Sequence, residues 1–403
     1  MTLMKKIAIL GFGVVGGGVA EVLTENKRSI EEKLGEQIEI KYILDLREFP
    51  DSPFADKVVH DFNIILSDPE VCLVAEMMGG SHPAYDFSKA AIQAGKSVVT
   101  SNKEVVARYG TELLSLAAKC GVRYMFEASV GGGIPIIRPM LNDLVSNRIT
   151  SVDGILNGTT NYILTQMSEF GTDFSAALKD AQAKGYAEAN PAADVDGLDA
   201  ARKIVILAAL AFGKCLSPDE ILTEGITKIT TEDFEIAKAL GYTIKLIGHA
   251  EKIGDKTLAM VSPRFVPFSS PLAHISDVYN GILIGANMLD KVLFYGKGAG
   301  KLPTASAVVA DIMDILEHMG SNQLATIKWD DAKACDIATN DDYLCNFCLI
   351  LPNTATDITN DNIESVKNIC GKTVLFTKKI GKGECDKLIS SLGASPVSVY
   401  RTL

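Results

Sequence analysis

A glycine-rich turn near the N-terminus constrains the fold more than any other feature of this sequence. Lys6 to Leu10 form a short apolar run that predicts a β-strand, and a stretch of helical character extends to about Leu34. A strand, a G-x-G-x-x-G turn and a helix in this order are typical of a dinucleotide-binding unit. The N–H groups and the dipole at the start of such a helix favour a bound pyrophosphate. The residues that this pattern assigns to the cofactor are Gly11, Phe12, Gly13, Val14, Val15 and Gly16.

The residues around this turn indicate how a dinucleotide would be held. Gly11 permits the tight turn, Gly13 lets the backbone approach the pyrophosphate, and Gly16 lets the helix pack closely on the strand. The second predicted strand ends at Asp45, which would accept a hydrogen bond from a ribose 2′-OH and favour NAD. Arg47 would instead bind a 2′-phosphate and favour NADP. The sequence leaves both cofactors open.

Alternating strands and helices continue beyond the second strand and predict a parallel sheet covered on both faces. Ligands bind at the carboxyl ends of the strands in such sheets. One of the expected loops there comprises residues 101–103. The predicted strands are residues 71–76, 96–100 and 123–127, and the predicted helices are residues 85–94 and 111–120.

Length and charge narrow the class of protein. A chain of 403 residues with 47% apolar and 22% charged residues is expected to form two or three globular domains. Its net charge of −11 argues against nucleic acid or an anionic membrane as a partner. The basic, apolar start breaks into glycines after Leu10, unlike a signal peptide. The longest apolar run elsewhere, Ile204 to Phe212, is too short to span a bilayer. We therefore expect a soluble, cytoplasmic protein.

The segment before that apolar run carries the most informative charges. If a helix begins near Asp196, then Asp196, Asp199 and Lys203 lie on one face, because residues three or four apart are neighbours on a helix. The apolar run that follows predicts a helix buried on most sides. A lysine held by carboxylates here is a candidate functional group. The alternative is an exposed salt bridge, worth about 0.3–0.5 kcal/mol.

Other common catalytic patterns do not occur in the sequence. Neither an HExxH nor a GxSxG motif is present, so metal-hydrolase and serine-hydrolase functions have no support. The single CxxC, formed by Cys345 and Cys348, lies in a predicted apolar strand and has no second pair at zinc-ligand spacing. We interpret these two cysteines as structural.

Seven segments between residues 5 and 320 have the order and spacing of one family's motifs. They are GFGVVGGGV, AEMMGG, SNKEVVA, EASVGGGIPII, GILNGTTNYIL, GYAEANPAADVDGLDAARK and YGKGAGKLPTASAVVADI. Together they resemble the motifs of homoserine dehydrogenase. The stretches DVDGLDAARK and NGTTNYIL are highly specific for that family, whereas the glycine turn is not.

The resemblance implies the reversible, NAD(P)-dependent interconversion of L-homoserine and L-aspartate 4-semialdehyde, a step of threonine and methionine biosynthesis. By their positions in the motifs, Lys203 is the proton donor and acceptor, and Asp199 is the carboxylate beside it at the substrate. Glu188 matches a substrate-binding carboxylate, and Lys103 matches a catalytic lysine between the nicotinamide and the substrate. The other matched residues are Thr100, Gly185 and Gly300 for the cofactor, and Glu127, Val130, Gly132 and Ile134 for a Na⁺ or K⁺ ion.

Elementary chemistry agrees with these implied roles. Reduction of an aldehyde needs a hydride at carbon, which a nicotinamide supplies, and a proton at oxygen. Lys203 can exchange that proton if burial and a second cation, such as Lys103, lower its pKa. Asp199 would oppose this shift, so orienting the lysine or binding substrate suits it better. For the cation, Glu127 would offer its side chain and the other three residues their backbone carbonyls, which are hard oxygen ligands.

The expected fold class is α/β, with a Rossmann-type dinucleotide-binding domain, an α+β substrate-binding and dimerisation domain, and a small C-terminal α+β module. The resemblance implies that a helix over residues 303–319 returns to the first domain, and that the middle domain forms a homodimer or homotetramer. The expected domains are residues 1–134 with 300–322, residues 135–299, and residues 341–403.

The C-terminal module is expected to be ACT-like, a fold that binds threonine and inhibits many members of the family. Its expected order is strand, helix (361–369), strand, helix and strand. The residues after the first strand, Leu351-Pro352-Asn353-Thr354, depart from the acidic-Pro-Gly turn usual there. A module that only caps or dimerises the protein is the alternative.

Two rival functions share parts of the pattern. An aspartate-type or diaminopimelate-type dehydrogenase would have the glycine turn but not the two specific stretches. A nucleotide-binding regulator without activity would be expected to lose Lys103, Glu188, Asp199 or Lys203, and all four are present.

Overall fold

The computed structural model describes residues 4–320, 327–353, 358 and 360–403. The chain divides into two compact units. The first comprises residues 1–146 and 296–331, and the second comprises residues 147–295 and 332–403. Residues 1–3 and 321–322 of the predicted first domain, and Thr354 of the predicted turn, lie outside the described residues.

Strands occur in both units. They are β1 (Met4–Leu10), β2 (Gln37–Leu44), β3 (Val58–Val59), β4 (Val71–Glu76), β5 (Ser97–Thr100), β6 (Tyr124–Met125), β7 (Ile149–Ile155), β8 (Lys214–Cys215), β9 (Leu222–Thr223), β10 (Tyr242–Ile253), β11 (Lys256–Pro267), β12 (Tyr279–Ala286), β13 (Asp290–Lys297), β14 (Asp330–Asp331), β15 (Phe347–Pro352), β16 (Ile363–Ile369), β17 (Lys372–Thr377) and β18 (Ser398–Thr402).

The α-helices are α1 (Val14–Glu25), α2 (Lys27–Leu34), α3 (Phe62–Ser67), α4 (Ala84–Gln93), α5 (Lys103–Cys120), α6 (Gly158–Phe170), α7 (Phe174–Ala183), α8 (Ala192–Val195), α9 (Leu198–Phe212), α10 (Thr231–Ala239), α11 (Lys301–Glu317) and α12 (Lys382–Ser391). Within the described residues, none of these helices has an apolar stretch long enough to cross a bilayer.

The first unit is built on a six-stranded sheet in the order β3-β2-β1-β4-β5-β6, and every neighbouring pair is parallel. This order reverses direction between β1 and β4, which creates the crevice where doubly wound folds bind dinucleotides. The buried residues Ile7 to Leu10 of β1 and Leu73 to Ala75 of β4 are all apolar because helices cover both faces of the sheet. Helix α11 packs on α1 so closely that a Cβ at Gly18 would lie 2.9 Å from the carbonyl oxygen of Lys301. The predicted Rossmann-type class is confirmed.

Two predicted boundaries in this unit are wrong. Helix α5 begins at Lys103 and not at residue 111, because the Asn102 side chain accepts hydrogen bonds from the N–H groups of Glu104 and Val105 and caps the helix. The predicted strand over 123–127 is only the two residues of β6, and a short 3₁₀-helix follows at Glu127–Ser129.

The second unit is built on a ten-stranded sheet whose main path is β13-β12-β7-β10-β11-β18-β15-β17-β16. Helix α9 packs across β7, β10 and β11. Residues Ile204 to Ala209 of this helix are all fully buried, as the apolar run predicts. The long antiparallel pair β10–β11 forms the middle of the sheet.

The C-terminal strands, predicted as a small module over residues 341–403, pair with this sheet and lie in the second unit. Strand β18 pairs in parallel with β11, and Arg264 lies opposite Arg401. The ring of Tyr400 stacks on Phe265 with centroids 4.8 Å apart. The last four strands have the order β18-β15-β17-β16, and α12 packs into their core through Cys385 and Leu388.

The predicted helix over residues 361–369 is wrong, because Ile363–Ile369 is strand β16. Ile363, Val366 and Ile369 are spaced by three, which fits one face of a helix. Pairing with the neighbouring strand β17 decides the outcome, and a register shift near Ser365 accommodates the irregular spacing.

Candidate active site

The glycine turn of the first unit has the geometry of a phosphate cradle. Gly11 has a φ of +88°, and a Cβ there would lie 3.1 Å from the carbonyl oxygen of Met77. A Cβ at Gly16 would lie 2.0 Å from the carbonyl oxygen of Gly11, so Gly16 leaves no room for a side chain, and the positive φ of Gly11 would strain one. By contrast, no described atom lies within 4 Å of a Cβ built on Gly13, the uncapped N-cap of α1. The start of α1 therefore offers open space and backbone N–H groups, which fit a dinucleotide pyrophosphate.

The two residues that the sequence assigns to alternative cofactors are bound to each other. The Arg47 guanidinium donates to both carboxylate oxygens of Asp45, each at 3.0 Å. The backbone N–H of Phe12 also donates to this carboxylate, at 2.8 Å. The hydrogen bond from Arg47 is the main reason that the pKa of Asp45 falls to about 2. Asp45, which directly follows β2, thus holds the glycine turn in place through its hydrogen bond with Phe12.

A buried carboxylate joins the carboxyl ends of β4 and β5. Glu76 is fully buried, accepts from the Thr100 hydroxyl at 2.5 Å and accepts from the backbone N–H of Met78 at 2.6 Å. Burial raises the pKa of Glu76 to about 7. Thr100 in turn accepts from the N–H of Asn102, at 2.9 Å. Glu76 is not among the predicted site residues, although a carboxylate at the end of a predicted strand, three residues before a pair of glycines, is a signal that the sequence contains.

Lys103 and Gly300, two of the residues predicted to contact the cofactor, both lie at helix N-termini of the first unit. Lys103 is the first residue of α5 and is half-buried. The Asn102 amide also donates to the carbonyl of Gly80 at 2.7 Å, which ties this terminus to the loop after β4. Gly300 is the N-cap of α11 and has a φ of +120°. Lys301 beside it donates to Glu21 of α1 at 2.5 Å.

The one carboxylate of the loop predicted to hold a cation accepts hydrogen bonds from the backbone. The Glu127 side chain accepts from the backbone N–H groups of residues 136, 137 and 138, at 2.6, 2.8 and 2.8 Å. Gly132 has a φ of +57°, and a Cβ there would lie 2.4 Å from the carbonyl oxygen of Gly298. The residues that the structure describes contain no group of three His, Cys, Asp or Glu side chains arranged for a metal ion. The predicted cation ligands are the Glu127 side chain and the backbone carbonyls of Val130, Gly132 and Ile134, and all of them are hard oxygen donors.

The second unit holds a buried lysine–carboxylate pair. The Lys203 ammonium donates to Asp199 at 2.7 Å and to the backbone carbonyl of Leu156 at 2.7 Å. Lys203 is 7% exposed and Asp199 is 6% exposed. The alternative of an exposed surface salt bridge is therefore wrong. Helix α9 starts at Leu198 behind Gly197, so Asp196 precedes the helix, is exposed and does not share this face.

Two further residues complete this network, and neither was singled out as a site residue from the sequence. The Asn157 amide donates to Asp199 at 2.9 Å and to Asp194 at 2.7 Å. Its carbonyl oxygen accepts from the N–H of Thr160 and caps α6. The capping signal in NGTTN was readable, but the contacts with Asp194 and Asp199 cross 37 and 42 residues of chain. No local pattern reports such contacts.

Glu188 and Gly185 lie on the loop after α7. Glu188 is exposed, and its carboxylate has no hydrogen-bond or ion-pair partner within the described part of the chain. Gly185 has a φ of +74°. The loop is anchored by Tyr186, whose carbonyl accepts from Thr159 at 2.6 Å and whose ring packs edge-on against Tyr162. This anchoring connects the loop to α6, the helix that Asn157 caps.

A doubly wound sheet with an open glycine turn, together with a separate unit that buries a lysine beside carboxylates, defines a nicotinamide-dependent oxidoreductase. Comparison with known proteins narrows this class to one family. Residues 11–127 match the family model for the homoserine dehydrogenase NAD-binding domain, and residues 135–313 match the model for homoserine dehydrogenase. The chain belongs to the homoserine dehydrogenase family.

Relatives and solved structures agree with this assignment. The chain is 45% identical to a homoserine dehydrogenase of Neisseria gonorrhoeae over 312 residues, which are 77% of this chain and 72% of that protein. A homoserine dehydrogenase of Lactococcus lactis is 43% identical over 317 residues, 77% of this chain and 74% of that protein. The solved structure of a homoserine dehydrogenase from Thiobacillus denitrificans has a TM-score of 0.90 at 32% identity, covering 100% of this chain and 99% of the other. A hyperthermophilic archaeal homoserine dehydrogenase in complex with NADPH has a TM-score of 0.67 at 27% identity, covering 78% and 98%.

Proposed function

We propose that Lys203 is the proton donor and acceptor in the NAD(P)-dependent interconversion of L-homoserine and L-aspartate 4-semialdehyde. The observation that carries this proposal is the burial of Lys203 against Asp199 and the carbonyl of Leu156. A buried, fixed ammonium is positioned to exchange a proton with an oxygen atom. An ordinary surface lysine would not be held in one place by two short hydrogen bonds.

The reaction balances with one hydride and one proton. When bound, the reduced nicotinamide supplies the hydride to the aldehyde carbon. Lys203 gives a proton to the carbonyl oxygen, which becomes the hydroxyl of homoserine. In the oxidation, Lys203 in its amine form takes the hydroxyl proton as the hydride leaves the same carbon.

Asp199 orients the lysine in this proposal. One of its oxygens, Oδ2, accepts from both Lys203 and Asn157. Because Asn157 is fixed as the cap of α6, it holds this carboxylate in place for the ammonium. The second carboxylate on Asn157, that of Asp194, is half-buried and joins the proposed substrate-binding set.

Glu188 and Lys103 complete the proposed set. The unpartnered carboxylate of Glu188 suits the ammonium of an amino acid substrate. Lys103, with its charge at a helix N-terminus, suits the substrate carboxylate and the reacting oxygen. The cofactor residues remain those of the glycine turn with Thr100, Gly185 and Gly300.

The decisive experiment replaces Lys203 with Met, which keeps the length of the side chain and removes the charge. We expect kcat for L-homoserine to fall roughly 10²–10⁴-fold, while the Kd for NADPH, measured by fluorescence titration, stays unchanged. Lys252→Met, at an exposed lysine of the same unit, is the matched control and should keep full activity. Near-normal turnover of Lys203→Met would refute the assignment.

The same assay addresses the cofactor and the cation. We propose NADP as the preferred cofactor, since Arg47 provides a guanidinium at the second strand's end and an archaeal relative was solved with NADPH. We also propose that a Na⁺ or K⁺ ion binds the Glu127 side chain and the carbonyls of Val130, Gly132 and Ile134. NAD(P)H formation at 340 nm is compared for both cofactors, with Na⁺, K⁺ or only tetramethylammonium present. Equal rates in all three salts would contradict a cation site.

For the C-terminal strands we propose a capping role and not threonine binding. One face of these strands is occupied by their own core with α12, and Tyr242 stacks on Phe376 with centroids 5.8 Å apart. Lys372 pairs with Glu232 of α10 at 3.1 Å. Inhibition of the full chain by threonine at millimolar concentration would contradict this role.

We propose a homodimer formed by the second unit, which light scattering tests directly.

A further inference from the structure

The side chain of Asn102 makes more hydrogen bonds than the capping of α5 requires. Its Oδ1 accepts from the N–H groups of Glu104 and Val105, each at 3.2 Å. Its amide group also donates to two backbone carbonyls of the loop after β4, that of Met78 at 3.2 Å and that of Gly80 at 2.7 Å. An asparagine side chain has two N–H donors and two acceptor lone pairs, so these four contacts use its whole capacity.

This double use explains why the position is an asparagine. Serine and aspartate cap helices about as well as asparagine does, because a cap needs only an acceptor oxygen. Neither of them can cap a helix and also donate to two further carbonyls. The two carbonyls belong to residues 22 and 24 positions earlier in the chain. Asn102 therefore connects two segments that another capping residue would leave unconnected.

Asn102 is also a member of a closed ring of hydrogen bonds at the carboxyl ends of β4 and β5. Its backbone N–H donates to the Thr100 hydroxyl, which donates to Glu76. Glu76 accepts from the N–H of Met78, and the Met78 carbonyl accepts from the Asn102 amide. Displacing one member breaks its hydrogen bonds to both neighbours. The ring therefore fixes the two strand ends and the start of α5 relative to one another.

This ring lies between the glycine turn and Lys103. On one side, the N–H of Met77 donates to the carbonyl of Leu10 at 2.8 Å, and a Cβ on Gly11 would lie 3.1 Å from the Met77 carbonyl oxygen. On the other side, Lys103 directly follows Asn102 and is the first residue of α5. The backbone at Asn102 therefore determines where the Lys103 side chain starts relative to the glycine turn.

We infer that Asn102 is a positioning residue of the reaction, which acts by holding Lys103 at a fixed place relative to the glycine turn. This inference rests on the proposed role of Lys103 at the substrate. A misplacement of about 1 Å at the reacting centre can cost about 100-fold in rate. The two hydrogen bonds from the Asn102 amide to the loop after β4 therefore suffice to influence turnover.

The test replaces Asn102 with Ser, which keeps a capping oxygen but is too short to reach the carbonyls of Met78 and Gly80. We expect kcat/KM for L-homoserine to fall at least about tenfold. The Kd for NADPH, measured by fluorescence titration, should change less than about threefold. The reason is that the hydrogen bond from Phe12 to Asp45 holds the glycine turn separately.

A double-mutant cycle with Lys103→Met separates positioning from general damage. If Asn102 acts through Lys103, Asn102→Ser should add less than about twofold to the loss that Lys103→Met already causes. Losses from independent structural damage would instead multiply.

Two further variants support this cycle. Asn26→Ser is the matched control, because Asn26 is the exposed N-cap of α2 in the same unit and its side chain makes no capping hydrogen bond. It should keep full activity. Asn102→Asp also keeps a capping oxygen and loses both donors, so it provides a second variant for the same cycle. Melting curves followed by circular dichroism show which variants are folded at the assay temperature.

Three results would overturn the inference. They are a normal kcat/KM in both folded Asn102 variants, losses that multiply in the double variants, and an NADPH affinity that falls as far as kcat/KM does. Normal turnover by Lys103→Met has a different meaning. It would overturn the proposed role of Lys103, and this inference with it.

Discussion

At the scale of single residues, two adjacent glycines of α1 differ in whether the surrounding structure leaves room for a side chain. Gly16 and Gly17 are adjacent in α1, and both are glycine in a helix that would be more stable with alanine. A Cβ on Gly16 would lie 2.0 Å from the carbonyl oxygen of Gly11. A Cβ on Gly17 would meet no described atom within 4 Å. Only the first glycine is therefore required by the close approach of helix and turn.

This contrast gives a matched pair of substitutions. Gly16→Ala must displace the turn, so we expect NADPH binding at least about tenfold weaker and a free energy of unfolding lower by about 1–3 kcal/mol. Gly17→Ala should instead raise the free energy of unfolding by about 0.5–1 kcal/mol. Fluorescence titration with NADPH and urea unfolding measure the two quantities. Unchanged NADPH affinity in Gly16→Ala would contradict this account of the turn.

At the scale of elements, Glu76 connects the ends of two strands to the start of a helix. Its carboxylate binds Met78 beyond β4 and the Thr100 hydroxyl at the end of β5, and Thr100 accepts from the capping residue Asn102. Burial raises the pKa of Glu76 from 4.5 to about 7. The folded protein therefore holds a proton that the unfolded chain releases at lower pH.

The sign of the resulting pH dependence follows from that shift. The contribution to stability is fully present below pH 4.5 and is lost as the pH rises towards 7, by roughly 1.4 kcal/mol per pH unit. Glu76→Gln, which does not titrate, should therefore gain about 2–3 kcal/mol relative to the wild-type chain between pH 5 and pH 8. Urea unfolding at four pH values measures this difference. Parallel curves for the two proteins would show that Glu76 keeps an ordinary pKa.

At the scale of the whole molecule, the C-terminal strands are part of the second unit's sheet. Leu258 and Met260 of β11 lie in one core cluster with Phe347 and Leu375 of the C-terminal strands. Removal of residues 335–403 would expose this core and the edge of β11, which is a template for aggregation. We therefore do not expect a chain shortened in this way to keep a folded second unit.

Two neighbouring residues of β18 test this integration without truncation. Tyr400 is 5% exposed and stacks on Phe265 of β11, whereas Val399 is 39% exposed. Tyr400→Ala should lower the free energy of unfolding of the second unit by about 3 kcal/mol, and Val399→Ala by less than about 1 kcal/mol. Melting curves followed by circular dichroism and by residual activity report both. A Tyr400→Ala protein as stable as Val399→Ala would indicate an independent module.

Local sequence patterns predicted those parts of the protein whose cause is local. The glycine turn, the doubly wound class and the buried helix α9 follow from spacing and apolar periodicity. The pair Asp199 and Lys203 is one helical turn apart, so its geometry could be predicted once α9 was recognised. The start of α5 was missed even though its capping residue, Asn102, is visible in the sequence.

The tertiary structure alone decided the contacts that join distant segments. The Asn157 amide donates hydrogen bonds to both Asp194 and Asp199. The Glu127 carboxylate accepts hydrogen bonds from the backbone of residues 136–138. Strand β18 pairs with β11. The apolar residues at 363, 366 and 369 are spaced by three, which predicted a helix. The segment is a strand because it pairs with the neighbouring strand β17. The physical reason is the same in each case. Spacing along the chain specifies which groups a segment presents, whereas the partner of each group depends on what the fold brings beside it.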